Sequence, residues 1–408
     1  MAAANDAIAA AHRAHWARLL ALLVGQLRRL DVAEDALADA FSAAVTAWSR
    51  DGVPDNPPAW LLTVARRRAT DLLRREMTQA RKLPLLITDD LARSPEEEVT
   101  ESMTTIRDER LRLIFTCAHP ALAAETRIAL TLRCVGGLTT AEVARSLLVS
   151  ESTMAARLTR AKKRIAAAGI PYRVPTDADL PERLGGVLTV LYLIFTEGYA
   201  ASSGAVPVRR ELAEEAIRLA RVIVELMPDE PEVRALLALM LLQHARRDAR
   251  VDADGGIVLL AEQDRRDWHR AEIDEALDLL SGRPQPVGEY RLQALIAAEH
   301  SIARTAADTD WAAIAGYYGE LERRTGSPIV RLNRAVAVAE RDGPAAGLSL
   351  LDGLAGPLAR NHLFFATRAE FARRTNDLVA ARRDLQAAIE LARTEAERDL
   401  LRRRLEGL

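Results

Sequence analysis

Apolar residues recur at helical spacing along almost the whole of this 408-residue chain. Near the N-terminus, Trp16 to Leu27 places large apolar residues three or four positions apart, and Ala36 to Trp48 does the same. Asp51 to Pro58 holds a Gly and three Pro residues, which favour a loop, and Ala59 to Glu76 is again periodic. The pattern predicts a helical domain over residues 1–77.

The pattern is lost over residues 78–105, where Pro84, Pro95 and the acidic run Glu96 to Glu98 stand. This composition predicts a linker, which could span up to about 90 Å if fully extended.

A second helical domain is predicted over residues 106–172. Thr139 stands where a helix N-cap is expected, and Ser150 stands before a second helix that runs from Glu151 to Ala168. Two short helices joined by a tight turn predict a helix-turn-helix.

Residues 176–408 form a third helical part with an internal repeat. Three sets of residues are each spaced by 34 positions, namely Ser301, Ala335 and Ala369; Ala313, Gly347 and Ala381; and Tyr317, Leu351 and Leu385. A 34-residue helix-turn-helix period is typical of tetratricopeptide repeats, although their usual Trp and Tyr positions are mostly missing.

Composition supports an all-α fold, because Ala, Leu, Arg and Glu are abundant and only 4% of the residues are aromatic. The formal net charge of −2 gives no overall attraction to nucleic acid, so any DNA-binding surface must be local. No signal-peptide pattern opens the chain, and its longest apolar run, Gly185 to Phe195, is too short to cross a membrane. These features predict a soluble cytoplasmic protein.

No cofactor, metal or catalytic centre is predicted. Cys117, His119 and Cys134 lack the paired spacing of metal ligands, so buried helix cysteines are the preferred interpretation. Phosphate-binding loops, nucleophile elbows and paired metal-binding histidines are missing from the sequence.

The helix that begins at Glu151 carries the local DNA-binding signal. Ser152 and Thr153 are short polar residues suited to base edges in a major groove, and the later basic residues suit phosphates. A basic, solvated helix of a helical bundle is the alternative interpretation.

Three segments in order resemble sigma factors of the extracytoplasmic-function group. Asp31 to Phe41 resembles region 2.2, which docks on core RNA polymerase, although Ala38-Asp39 replaces the usual Gln-Glu. Pro58 to Arg75 resembles regions 2.3 and 2.4, which melt and read the −10 element, although Arg67 replaces a common Asn. Residues 106–170 resemble region 4, which reads the −35 element.

This resemblance implies three sets of binding residues. The acids implied to contact core polymerase are Asp31, Glu34, Asp35 and Asp39. The residues implied to contact the −10 element are Trp60, Arg66, Arg67, Arg68, Asp71, Arg74 and Arg75. The residues implied to contact the −35 element are Ser150, Glu151, Ser152, Thr153, Arg157, Arg160, Lys163 and Arg164.

The C-terminal part resembles a subgroup of these sigma factors that carries a tetratricopeptide-containing extension. Leu188 to Tyr199 and Asp254 to Arg265 are similar to two blocks of that extension, which is thought to be needed for sigma activity. The regulatory residues implied are Asp254, Gly255, Gly256, Glu262, Asp264, Arg265 and Trp268. The residues themselves leave open whether this loop docks on the sigma domains or is a turn that packs on the repeats.

The sequence therefore predicts a non-enzymatic sigma factor whose partners are core RNA polymerase, promoter DNA and a protein or peptide ligand of the repeats. Two alternatives stay open. A helix-turn-helix regulator with a repeat-based sensor domain would bind duplex DNA alone, and a scaffold protein would bind only through its repeats.

Overall fold

The computed structural model describes residues 2–79, 103–147, 149–170, 172–176, 178–200, 210–252, 256–281, 287–392 and 394–408. Within these ranges the regular elements are helices, and one isolated β-bridge joins Val251 to Ile257. The prediction of an all-α fold is confirmed. The chain divides into two compact units, an N-terminal unit, Met1–Ile194, and a C-terminal unit, Phe195–Leu408.

The N-terminal unit is built from helices whose apolar sides face inward. They are α1 (Ala2–Leu27), α2 (Leu30–Asp51), α3 (Pro57–Gln79), α4 (Met103–Cys117), α5 (Ala124–Leu130) with the π-helical turn Thr131–Val135, α6 (Thr140–Ser146), α7 (Glu151–Ala167) and α8 (Leu180–Ala200), which crosses the boundary between the units. The predicted linker is shorter at both ends than the sequence indicated, since α3 continues to Gln79 and α4 begins at Met103; its residues 80–102 lie outside the described ranges.

The first three helices pack on one another around small and apolar side chains. Val32 and Ala36 of α2 meet Ala69 of α3 in one buried cluster, and Leu72 and Leu73 close its edge. Small residues at these contacts let α2 and α3 approach closely, which fixes the outward directions of the remaining side chains.

Both helix starts predicted in the helix-turn-helix are confirmed. The Thr139 hydroxyl accepts a hydrogen bond from the Glu142 N–H at 3.2 Å, and the Glu142 carboxylate accepts one from the Thr139 N–H, which makes a capping box. The Ser150 hydroxyl accepts from the Thr153 N–H at 3.2 Å and begins α7. The predicted packing side of α7 is buried and consists of Met154, Leu158, Ala161 and Ile165.

The C-terminal unit continues with ten more α-helices among the described residues. They are α9 (Arg210–Leu226), α10 (Pro231–His244), α11 (Arg270–Leu280), α12 (Glu289–Ile302), α13 (Trp311–Thr325), α14 (Pro328–Asp342), α15 (Pro344–Leu351), α16 (His362–Arg374), α17 (Leu378–Leu391) and α18 (Glu395–Glu406). None of the described helices is long and apolar enough to cross a membrane.

The 34-residue offset corresponds to a repeated pair of helices. Ala335 and Ala369 occupy equivalent buried positions on α14 and α16, and Gly347 and Ala381 do so on α15 and α17. A Cβ on Gly347 would lie 2.7 Å from the Ala339 Cβ, so only glycine permits this approach. The tetratricopeptide assignment itself stays a prediction.

Candidate nucleic-acid interface

Helix α3 presents a basic outer surface. Leu61, Leu62, Ala65 and Ala69 are buried on its inner side. The exposed residues of the predicted −10 set are Arg67, Arg68, Asp71, Arg74 and Arg75. Arg66 differs from them, because it is half-buried and its Nε donates to the Gln26 Oε1 at 3.2 Å. Four arginines on one helix can hold the phosphates of a nucleic-acid strand.

Trp60 stands at the start of this basic surface and is half-buried. Its ring packs edge-on against the buried Trp48 of α2, with 5.7 Å between the ring centroids. The Asn56 side chain accepts from the Ala59 N–H at 3.2 Å, which secures the first turn of α3. Trp60 therefore packs against the core of this unit and stays partly exposed beside the arginines.

Helix α7 exposes most of the predicted −35 set. Exposed near its N-terminus are Ser150, Glu151, Ser152 and Thr153, and exposed further along are Arg160, Lys163 and Arg164. Arg164 also donates through Nε to the Ala121 carbonyl at 3.2 Å. Arg157 is less free than the sequence suggested, because it forms an ion pair with Glu125 at 3.2 Å and its side chain is 24% exposed.

Three of the four acids implied to contact core polymerase are exposed or half-buried on α2. Asp35 and Asp39 are exposed, and Asp31 is half-buried beside Arg29 at 2.7 Å. Burial alone would raise the pKa of Asp31, but the hydrogen bonds and charge of Arg29 outweigh it and hold that pKa below its usual value. The Asp31 carboxylate is therefore negatively charged at neutral pH.

Glu34 departs from the expectation that it lies on the exposed acidic surface, because it is only 5% exposed. Its Oε1 accepts from the Arg133 Nε at 2.6 Å, and its Oε2 lies 3.1 Å from the Lys162 Nζ. Arg133 belongs to the π-helical turn and Lys162 to α7, so both cations come from the region-4-like part. Glu34, Arg133 and Lys162 are called the Glu34 cluster below.

Trp16 of α1 contacts Arg133 of this cluster. Its indole N–H donates to the Arg133 carbonyl at 3.2 Å, and the Arg133 guanidinium lies 4.5 Å from the indole ring. Gly137, at a φ of +75°, brings the turn before α6 against the same ring. The contact therefore joins α1 and α2 to the region-4-like helices through charge, hydrogen bonds and an aromatic face.

The block predicted to regulate activity is built into the C-terminal unit. Trp268 is buried, and the guanidinium of Arg265 lies 4.6 Å from its ring. Arg265 donates to the backbone carbonyls of His300 and Ala303, at the C-terminal end of α12. These contacts give Arg265 and Trp268 a packing role within this unit.

The rest of that block is more open. Glu262 and Asp264 are exposed, and hydrogen bonds from Arg266 lower the pKa of Asp264 to about 2. The Gly256 N–H donates to the Asp252 Oδ1 at 2.6 Å. Asp254 and Gly255 lie outside the described residues.

The two cysteines are both buried and free, as predicted. A hydrogen bond with Cys117 and burial together raise the pKa of the Cys134 thiol well above its usual value, so it stays protonated. Within the described part of the chain, no cluster of three His, Cys, Asp or Glu side chains could hold a metal ion.

Comparison with known families decides the identity of the N-terminal unit. The model of sigma-70 region 2 matches residues 11–78, and that of sigma-70 region 4 matches residues 112–165. The chain belongs to the sigma-70 family. For a sigma-70 protein, these two regions imply interaction with core RNA polymerase and promoter DNA, and a role in transcription initiation.

A segment C-terminal to the two sigma-70 regions matches another family, since residues 183–283 match a family of unknown function (DUF6596). An uncharacterized protein of Rhizobium meliloti (strain 1021) is 42% identical over 390 residues, which cover 95% of this chain and 92% of the relative. No solved structure matches the chain.

Proposed function

We propose that this protein binds core RNA polymerase through α2, opens and reads the −10 element with α3, and reads the −35 element with α7. The observation that carries the proposal is the order of two sigma-70 regions, each with a helix of exposed basic side chains. The protein acts by binding. It gives promoter specificity to core polymerase, which carries out the catalysis.

The exposed side of α3 suits strand separation. Opening a duplex loses base stacking of about 1.4 kcal/mol per step, so a separated strand must be held by compensating contacts. Arg67, Arg68, Arg74 and Arg75 can each hold a phosphate, and the partly exposed Trp60 could stack on an unpaired base. Asp71 lies among them and would disfavour close approach of a phosphate at that one position.

The exposed side of α7 suits duplex readout. Ser152 and Thr153 lie at the helix N-terminus, where side chains of a recognition helix reach base edges. Arg160 is exposed about two helical turns later, in reach of the backbone or of a guanine edge. The ion pair with Glu125 would have to open before Arg157 could contact DNA.

Arg160→Ala is expected to weaken binding of the polymerase complex to the promoter by about 1–3 kcal/mol if the guanidinium contacts a base. If it contacts phosphate, the loss should be similar on all sequences and the salt dependence should become shallower. The measurement is a titration of labelled promoter and of a −35-scrambled duplex at two salt concentrations. Arg173→Ala, an exposed arginine outside α7, is the matched control. Equal promoter affinity for wild type and Arg160→Ala would exclude this assignment.

We further propose that the C-terminal unit regulates the sigma function. Support comes from its covalent attachment to two sigma-70 regions and from its repeated helix pairs, since stacked helix pairs commonly bind peptides and protein faces. Removing residues 201–408 is expected to change promoter-dependent transcription while keeping α8. Cutting at Pro175 would remove Arg183, which donates to the Phe115 carbonyl at 2.7 Å and helps hold the N-terminal unit.

A further inference from the structure

One side of α17 exposes a mixed apolar and basic surface. Leu378 is 42% exposed and Val379 is 84% exposed, and Arg382, Arg383 and Gln386 are exposed further along the helix. Residues four positions apart lie on the same side of a helix, so Leu378, Arg382 and Gln386 form one row and Val379 and Arg383 form the row beside it. Together these five residues line an open groove with a volume of about 290 Å³. They are called the α17 groove below.

The apolar residues of the α17 groove are not needed by the core of the C-terminal unit. Helix α17 packs on α16 and α18 through its other side, where Ala381, Leu385 and Ala388 are buried. A single exposed apolar side chain is ordinary on a protein surface. Leu378 and Val379, however, are adjacent in the chain and line one concave site together, which is typical of a surface that a partner covers.

The α17 groove is also positively charged, since its lining holds two arginines and no acid. The Arg383 Nε donates to the Asp384 Oδ1 at 3.1 Å, yet the Arg383 side chain stays 69% exposed. Asp384 is already bound at two points by Arg368, so one carboxylate serves two arginines. Arg382 is exposed, and no ion pair within the described residues neutralises it. The nearby Asp377 carboxylate accepts a backbone N–H as the N-cap of α17. An anionic partner therefore complements this surface.

The dimensions and polar groups of the α17 groove suit a short stretch of peptide. Its volume lies at the lower end of the range for small-molecule pockets. The row from Leu378 to Gln386 is about 12 Å long at the rise of an α-helix, which matches about four residues of extended chain. The Gln386 amide can both donate to and accept from a peptide backbone, and arginines bind carboxylates through paired hydrogen bonds.

We propose that the α17 groove binds a short acidic segment of a partner protein. An aliphatic or aromatic side chain of that segment packs on Leu378 and Val379, and its carboxylates bind Arg382 and Arg383. The proposal rests on the regulatory role proposed above for the C-terminal unit and supplies the site through which a partner acts. Peptide binding itself requires neither polymerase nor promoter, so it is measured separately from that role.

Selection of a random peptide library on the immobilised full chain tests the site. We expect enrichment of peptides in which Asp or Glu flanks a large apolar residue. In fluorescence anisotropy, a labelled selected peptide should bind Arg382→Glu about tenfold or more weakly, and Val379→Ser several-fold more weakly, than wild type. Arg360→Glu and Leu363→Ser make similar changes at exposed positions outside the groove and should bind like wild type. All four positions are exposed, and circular dichroism checks that each variant is folded.

Two results would overturn the proposal. One is a set of selected peptides that lack acidic residues, or that bind wild type, Arg382→Glu and Val379→Ser equally well. The other is a failure to enrich any such peptide. Saturable binding of a labelled fatty acid that depends on Arg382 would in that case assign the groove to a small amphipathic acid instead of a peptide.

Reconstituted transcription with the selected peptide added separates the site from its regulatory role. We expect the peptide to change the transcript level with wild type and to leave it unchanged with Arg382→Glu. An unchanged level with both proteins, where anisotropy shows peptide bound to wild type, would overturn the regulatory role and leave the binding site standing. If wild type gives no transcript with core polymerase, the sigma function fails, and the anisotropy data still decide whether the α17 groove binds acidic peptide.

Discussion

Asp39→Lys is expected to weaken binding to core RNA polymerase by about 2 kcal/mol or more, roughly a 30-fold loss of affinity. Asp39 is exposed on α2 and makes none of the ion pairs of the Glu34 cluster, so reversing its charge leaves those ion pairs intact. A basic partner surface would meet a like charge there, and such a contact costs several kcal/mol when it is desolvated.

The comparison for this prediction is Asp51→Lys, which makes the same charge change at the other end of α2. Asp51 is exposed and pairs only with its neighbour Arg50 among the interactions described, at 2.7 Å. Polymerase affinity is measured by titration at physiological salt, because screening reduces exposed charge effects at high salt. If both variants lose affinity equally, general electrostatics rather than a specific acidic contact would explain binding.

Asp384→Asn is expected to lower the free energy of unfolding of the C-terminal unit by about 3 kcal/mol. Asp384 is 1% exposed, and its oxygens accept from the Arg368 Nε at 2.5 Å and the Arg368 Nη2 at 2.8 Å. The neutral amide would lose this two-point ion pair and leave Arg368 without its counter-charge between α16 and α17.

The same carboxylate gives the effect a defined pH dependence. Burial alone would raise the pKa of Asp384, but hydrogen bonds and charges of Arg368 and Arg383 outweigh it and lower the pKa. A carboxyl with a lowered folded pKa stabilises the fold above its unfolded pKa of about 3.9, and this contribution is lost as pH falls through the folded value. The difference between wild type and Asp384→Asn should be full at pH 7 and shrink below about pH 4.

Urea denaturation at pH 7 and pH 3 measures both parts of this prediction. Asp342→Asn is the control, because Asp342 forms an exposed, solvent-screened ion pair with Arg341 and its loss should change stability little. A loss for Asp384→Asn that is no larger than the control, or that is the same at both pH values, would contradict the assigned role.

Sequence periodicity predicted the helices well where a helix buries one face and exposes the other. The packing side of α7 and its Ser150 cap follow from residues that are neighbours in the chain. The outward arginines of α3 follow from the same spacing. Local patterns of this kind need no knowledge of the tertiary contacts.

Contacts between distant segments were not predictable in the same way. Arg133 pairs with Glu34 across 99 positions, and nothing near either residue identifies the partner. The one available signal was a lone arginine inside the apolar run Thr131–Val135, since a buried charge requires a partner. The burial of Trp268 against Arg265 likewise depends on α12, which the local motif does not reveal.

Reconstituted transcription with purified core RNA polymerase measures directly whether this protein directs promoter-specific initiation. Templates carry the region upstream of the protein's own gene, or the same DNA with the proposed −35 or −10 element scrambled. We expect a defined transcript only when the protein, core polymerase and the intact promoter are together, and a loss of that transcript when either element is scrambled. Tight, sequence-specific binding to duplex DNA without polymerase, and no transcript with polymerase, would contradict a sigma-factor role for this protein.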